Sequence, residues 1–207
     1  WGVETIGGIL VILQTALILL ITPSLAAVLI AAERESGGWD LLRTTPLSAG
    51  AILRGKLMSV VWTLALILLA TLPGYLVMIV IEPATEQQVR RVAVCLLLTA
   101  LFALATAACV GSFFRRTAPA MMTAYGVLLG LCGGTLLVWL GRDAPFGHAT
   151  VEAVLTVNPI AAALSAIDAP GFERYELIPA NWWFLGVASA VLLSVLAVQT
   201  WRLARPQ

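Results

Sequence analysis

Residues 92–114 read VAVCLLLTALFALATAACVGSFF, a run from Val92 to Phe114 without a single Asp, Glu, Lys, Arg or His. Its Leu, Val, Ala and Phe residues fall on every face of a helix, so no polar stripe remains for water. At 1.5 Å per residue a run of this length reaches ~35 Å, enough to cross ~30 Å of hydrocarbon. Strands of a membrane barrel would be about half as long and would alternate in polarity. Four more charge-free runs of this kind lie at about 6–30, 57–81, 118–140 and 182–201. The pattern predicts an all-α, polytopic transmembrane helical bundle, a single transmembrane domain over 1–207 with five spans.

Composition points the same way. Of 207 residues 60% are hydrophobic and only 11% charged, too few charges to cover a soluble domain. A net charge of +1 offers no basic surface to nucleic acid. The chain opens Trp1-Gly2-Val3-Glu4, with no initiator Met and no recognisable signal peptide. A sixth, N-terminal span is therefore expected to precede it. Cys95, Cys109 and Cys132 all lie deep in spans and read as small apolar packing residues.

The cations set the orientation. With alternating spans, Arg34, Arg43, Arg54, Lys56, Arg115, Arg116, Arg202 and Arg205 share one side. Only Arg90, Arg91, Arg142 and Arg174 lie on the other. The positive-inside rule puts loop 31–56, the 115–116 turn and the C-terminus in the cytoplasm, although the paired Arg90 and Arg91 pull the other way. Trp139, Trp182 and Trp183 would then mark the outer interface and Trp201 the inner one.

Several positions bear on packing. Thr22-Pro23 and Pro73-Gly74 interrupt the first two spans, as hinges or as static kinks. Gly126, Gly130 and Gly134 form a four-residue-spaced stripe, as do Ala103, Ala107 and Gly111. Such stripes let helix backbones approach; packing inside the chain is expected for both, with a dimer seam as the alternative. The outer loop 141–180 has an apolar middle broken at Asn158-Pro159. Asn158 reads as an N-cap and Pro159 as the first helical residue. Two short helices forming an outer re-entrant hairpin are expected; a full sixth span at 149–167 is the competitor.

No catalytic residue, cofactor site or metal site is apparent. His148 is the one histidine, and neither HExxH nor a Ser-His-Asp set is present. Gly50-Ala51-Ile52-Leu53-Arg54-Gly55-Lys56 fits the first seven positions of a phosphate-binding loop. Leu57 then stands where the Mg²⁺-binding hydroxyl belongs, and no apolar strand precedes it. It reads as a chance match.

Loop 31–56 is the most informative stretch. Gly37-Gly38 permits a sharp turn out of the first span, Trp39 to Thr44 suffices for a short helix, and Pro46 stops it. Ser48 can cap the next helix. Trp39, Leu42 and Arg43 would form either a docking anchor for a partner or the lipid-facing side of an interfacial helix.

The residues Glu33, Glu35 and Gly37, then Asp40-Leu41-Leu42, then Thr45-Pro46-Leu47-Ser48, then Ile52, Gly55 and Lys56 resemble the loop of ABC type-2 transporter permeases. Trp39 stands where the family more often has an aliphatic residue. Asn158-Pro159 is similar to the Asn-Pro or Ser-Pro before that family's last span. The resemblance covers nearly the whole chain and implies a permease of the bacterial-type cytoplasmic (inner) membrane, exporters dominating the family. It implies a second permease copy or paralogue, the lipid bilayer, and a cytoplasmic ATP-binding cassette ATPase that carries the ATP and Mg²⁺. It further implies a coupling helix, so that Glu33, Glu35, Gly37, Trp39, Asp40, Leu41, Leu42, Arg43, Thr45 and Pro46 become the ATPase-coupling residues. A non-transporting scaffold or sensor subunit is the alternative function, and a membrane-embedded lipid-modifying enzyme the third.

Overall fold

A computed structural model describes residues 3–38, 49–142 and 147–204. The described residues are helical apart from the connections between helices, the longest of them 166–179. Helix α1 (Val3–Ala26) runs through a break at Ala27 into α2 (Val28–Glu35). Helix α3 (Ala49–Ile81) is followed by a single 3-10 turn, Pro83–Thr85, and α4 (Glu86–Phe113). Then come α5 (Thr117–Leu140), the short α6 (His148–Leu155) and α7 (Pro159–Ser165), and α8 (Ala180–Ala204). Five helical stretches among the described residues are long and apolar enough to cross a membrane: Thr5–Glu35, Gly50–Ile81, Pro83–Phe113, Thr117–Leu140 and Ala180–Arg202.

The expected spans underestimate the helices at the loop 31–56 end. Residues 31–35 belong to α2 and 49–56 to α3, so both ends of the expected loop 31–56 are helical. Charged side chains end an apolar run without ending a helix, because they can lie on its wet side while the backbone ladder continues.

Helix α4 is the hub. In its most apolar 18-residue window 72% is buried, against 17% for α3 and for α5 and 22% for α8. It packs on α8, α1, α5, α2, α7 and α3. The sequence explains this role. Ala103, Ala105, Ala107 and Ala108 are buried, and short side chains let neighbouring backbones come close. At Gly111 the approach is tightest: a Cβ there would collide with the Ala27 carbonyl at the α1–α2 break. The Ala103, Ala107, Gly111 stripe is thus an internal seam.

The other stripe is not. Gly126, Gly130 and Gly134 are exposed, and a Cβ at any of them would meet nothing within 4 Å. The expectation that they pack inside the chain is corrected. Spacing identifies a smooth helix face but not what lies opposite, and α5 turns Ala124, Leu128 and Cys132 inward instead.

The break after α1 follows Pro23, which has no N–H to give the helical ladder. Close by, the Thr22 hydroxyl donates to the Ile18 carbonyl at 2.6 Å, and the Tyr125 hydroxyl of α5 donates to the Leu20 carbonyl at 2.6 Å. Helix α3 continues through Pro73. One buried polar contact joins α1 to α3: the Tyr75 hydroxyl donates to Gln14 Oε1 at 3.0 Å.

Outward faces are apolar. Trp62, Leu66, Leu69, Leu76 and Val80 of α3 are exposed, as are Ile9, Leu13 and Leu20 of α1. In water so large a surface would drive association; against lipid it is at home. On α8, Trp183 and Trp201 are both exposed and stand about 27 Å apart along the helix, close to the hydrocarbon thickness that interfacial tryptophans bracket.

The 141–180 connection holds the two expected short helices. Asn158 caps α7 as predicted, its Oδ1 accepting from the N–H groups of Ile160 at 2.8 Å and Ala161 at 3.2 Å, with Pro159 as first helical residue. Its Nδ2 donates to the Cys132 carbonyl at 2.9 Å and the Thr135 hydroxyl at 2.7 Å of α5. Asn181, opening α8, donates to the Thr156 carbonyl at 2.7 Å. The free thiols Cys95, Cys109 and Cys132 are buried, and Cys95 Sγ accepts from Trp182 Nε1 at 3.1 Å.

Candidate functional site: the clamp at the end of α2

The last turn of α2 carries Glu33, Arg34 and Glu35 in succession, and each reaches a different helix end. Glu33 forms an ion pair with Lys56 in the early turns of α3. Arg34 Nη1 donates to the Ser112 carbonyl at 3.1 Å and the Phe114 carbonyl at 3.2 Å, where α4 finishes. Glu35 Oε2 accepts from the Thr117 N–H at 2.9 Å and the Thr117 hydroxyl at 2.7 Å, where α5 starts.

The signs suit the backbone. A helix C-terminus exposes unpaired carbonyls with partial negative charge, and Arg34 brings a cation to it. A helix N-terminus exposes unpaired N–H groups, and Glu35 brings an anion. The N-cap of α5 is Arg116, whose own side chain makes no capping bond, so Glu35 supplies that function from another helix. Ser112 also ties back locally, its hydroxyl donating to the Cys109 carbonyl at 2.6 Å.

Past the clamp the chain turns. Ser36 closes α2 by donating its N–H to the Ala32 carbonyl at 3.0 Å, and Gly37 follows at φ +74. That left-handed conformation is a common helix ending and is nearly free only to glycine, as Gly37-Gly38 predicts. Of the coupling residues expected from sequence, Glu33, Glu35 and Gly37 therefore gather at the root of the loop. Trp39, Asp40, Leu41, Leu42, Arg43, Thr45 and Pro46 lie outside the described residues.

The Gly50–Lys56 segment is helical throughout. In a phosphate-binding loop the glycine-rich stretch lies ahead of a helix and wraps the anion, whereas here it is part of α3 from the helix's second residue onward and its lysine is paired with Glu33.

Arg34, read from sequence only as one of the cations that set the orientation, was not among the expected coupling residues. Its partners are carbonyls 78 and 80 residues away, and a main-chain acceptor leaves no mark on the residue type at its position. The available signal was the sign alternation Glu-Arg-Glu at a helix end, which a solvated surface turn would also give.

The chain was compared with family models, with curated proteins and with solved structures. It matches none of them.

Proposed function

We propose that this chain is the membrane-spanning permease subunit of an ATP-binding cassette transporter, most suited to export, driven by a separate cytoplasmic ATPase. The observation that carries the reading is the clamp. Three consecutive charged residues at the root of the loop that resembles a coupling loop bind the starts of α3 and α5 and the end of α4. A push on that loop would thus reach four spans through short polar links, which is what transmission of a rigid-body motion requires.

In this reading loop 31–56, the α4–α5 turn and the C-terminus face the cytoplasm of a bacterial-type inner membrane. Helices α6 and α7 form a re-entrant hairpin on the outer side. A second copy or paralogue completes the translocation path. The chain itself is not an enzyme, holds no cofactor, and leaves ATP and Mg²⁺ to its partner.

Interface energy concentrates in buried aromatic and Arg anchors, whose truncation costs ~2 kcal/mol or more. The test is retention of the ATPase by affinity-tagged chains, with transport-linked ATP hydrolysis measured alongside. Trp39→Ala and Leu42→Asp should each weaken retention or uncouple hydrolysis from transport, while insertion into the membrane stays normal. Wild-type retention and activity in both variants would remove the coupling assignment.

A further inference from the structure

At the opposite end of the bundle from the clamp is a cavity of about 340 Å³ lined by Arg142, His148, Gly171, Glu173, Arg174 and Tyr175. It adjoins a second cavity of about 540 Å³. The two share Glu173 and Tyr175, and the second adds Arg91, Asp168 and Glu176 among its charged lining. Formal charge is therefore divided. His148 aside, the smaller cavity has two guanidinium groups against one carboxylate. The larger has three carboxylates against one guanidinium.

These charges are not spent on one another. Among the described residues no ion pair engages Arg142, Arg174, Arg91, Glu173 or Glu176. Arg142 is held in place another way, its guanidinium stacked 4.3 Å over the Trp139 ring, whose own plane stacks on Phe172 at 4.8 Å. Tyr175 is buried and lies 3.3 Å from His148 Nδ1 through its hydroxyl. Helix α6 begins at His148 behind Gly147, which has no side chain to cap it, so the positive end of a helix joins the two arginines. The smaller cavity is far too large for a lone halide and within the range that holds small organic groups.

We propose that the paired cavities bind the headgroup of a zwitterionic phospholipid bearing a primary ammonium, of the phosphoethanolamine type. The phosphate sits with Arg142, Arg174 and the start of α6. The ammonium donates toward Glu173 and the carboxylates beyond it. Guanidinium groups match phosphate oxygens in a planar, two-pronged geometry, and a primary ammonium has three N–H donors for carboxylates. Position favours a lipid over a dissolved phosphate ester. Arg142 stands two residues past Leu140, the end of α5, so the cavity opens where a bilayer presents its headgroups. The site is independent of the transport reading.

The experiment is native mass spectrometry of the detergent-purified full chain titrated with phosphatidylethanolamine or phosphatidylcholine. A calorimetric arm uses phosphorylethanolamine and inorganic phosphate. Phosphatidylethanolamine should be retained several-fold better than phosphatidylcholine, whose quaternary ammonium has no N–H to donate. The Arg142→Gln/Arg174→Gln double variant should bind it about tenfold or more weakly, in line with the loss of charge-assisted hydrogen bonds. Glu173→Gln should erase the preference between the two lipids while the protein keeps its wild-type melting temperature. Equal retention by wild type and the double variant would mean annular lipid only and would overturn the proposal. So would inorganic phosphate binding as tightly as phosphorylethanolamine with no preference between lipids, which would mark a site for a free anion.

Discussion

The Glu35 carboxylate caps a helix it does not belong to, accepting both the N–H and the hydroxyl of Thr117, 82 residues away. Both groups are exposed, so the contact contributes little to global stability. Its effect should be local. Glu35→Ala should leave expression and folding near wild type but speed amide exchange over the first turn of α5. Glu35→Gln retains one acceptor oxygen and should lie between. Hydrogen-exchange mass spectrometry on residues 117–121 checks this; unchanged exchange in Glu35→Ala would show that the cap carries no weight.

The Glu33–Lys56 pair joins α2 to α3 with side chains 29% and 30% exposed. Pairs of this exposure are worth up to about 1 kcal/mol. Reversing one charge, as in Lys56→Glu, should lower the melting temperature of the purified chain. Reversing both, as Glu33→Lys/Lys56→Glu, should restore part of the loss. A double-mutant cycle with no coupling between the sites would show the pair to be ornamental.

Asn158 is the more demanding residue. It is fully buried and satisfies two N–H groups of α7 while donating to two acceptors of α5. Asn158→Ala should cost about 2–4 kcal/mol, combining a lost N-cap with unpaired buried groups. Asn158→Asp keeps the cap but loses the Nδ2 donor and buries a charge, so it should do no better. Thermal unfolding in detergent measures both, and a loss below about 1 kcal/mol in each would show that α7 is held by packing alone.

Much of this architecture is legible in the sequence because a bilayer leaves few options. Charge-free runs such as 92–114 have to be helices, since lipid cannot satisfy an open backbone. Asn158-Pro159 likewise carries its own local instruction, an acceptor side chain ahead of a residue that needs no donor. What the sequence hides are partners across the bundle. The Gln14–Tyr75 bond depends on the rotation of α1 against α3, which uniformly apolar helices do not encode. Arg34 reaches carbonyls, which every residue has. The glycine stripe on α5 shows the same limit from the other side, because an alignment of small residues says that a close approach is possible and not that it occurs.

That limit leads to a contrast between two sets of small residues. A methyl group at Gly111 would strike the Ala27 carbonyl, its carbon and its Cα, all main chain. Main chain cannot rotate away as a side chain can, so α4 and the α1–α2 break would have to separate. Overpacking of this kind costs about 1–3 kcal/mol, and Gly111→Ala should lower the melting temperature of the purified chain. Gly126, Gly130 and Gly134 have open space where a Cβ would go, and alanine is the better helix former by about 1 kcal/mol per site in water. Replacing all three with alanine should therefore leave the isolated chain as stable as wild type or more so. Two measurements on the same triple variant separate its possible roles: thermal unfolding of the monomer, and oligomeric state by analytical ultracentrifugation in detergent. A destabilised monomer would mean that the stripe packs within the chain after all. A monomer of full stability that no longer pairs, where wild type does, would assign the stripe to contact with a second copy.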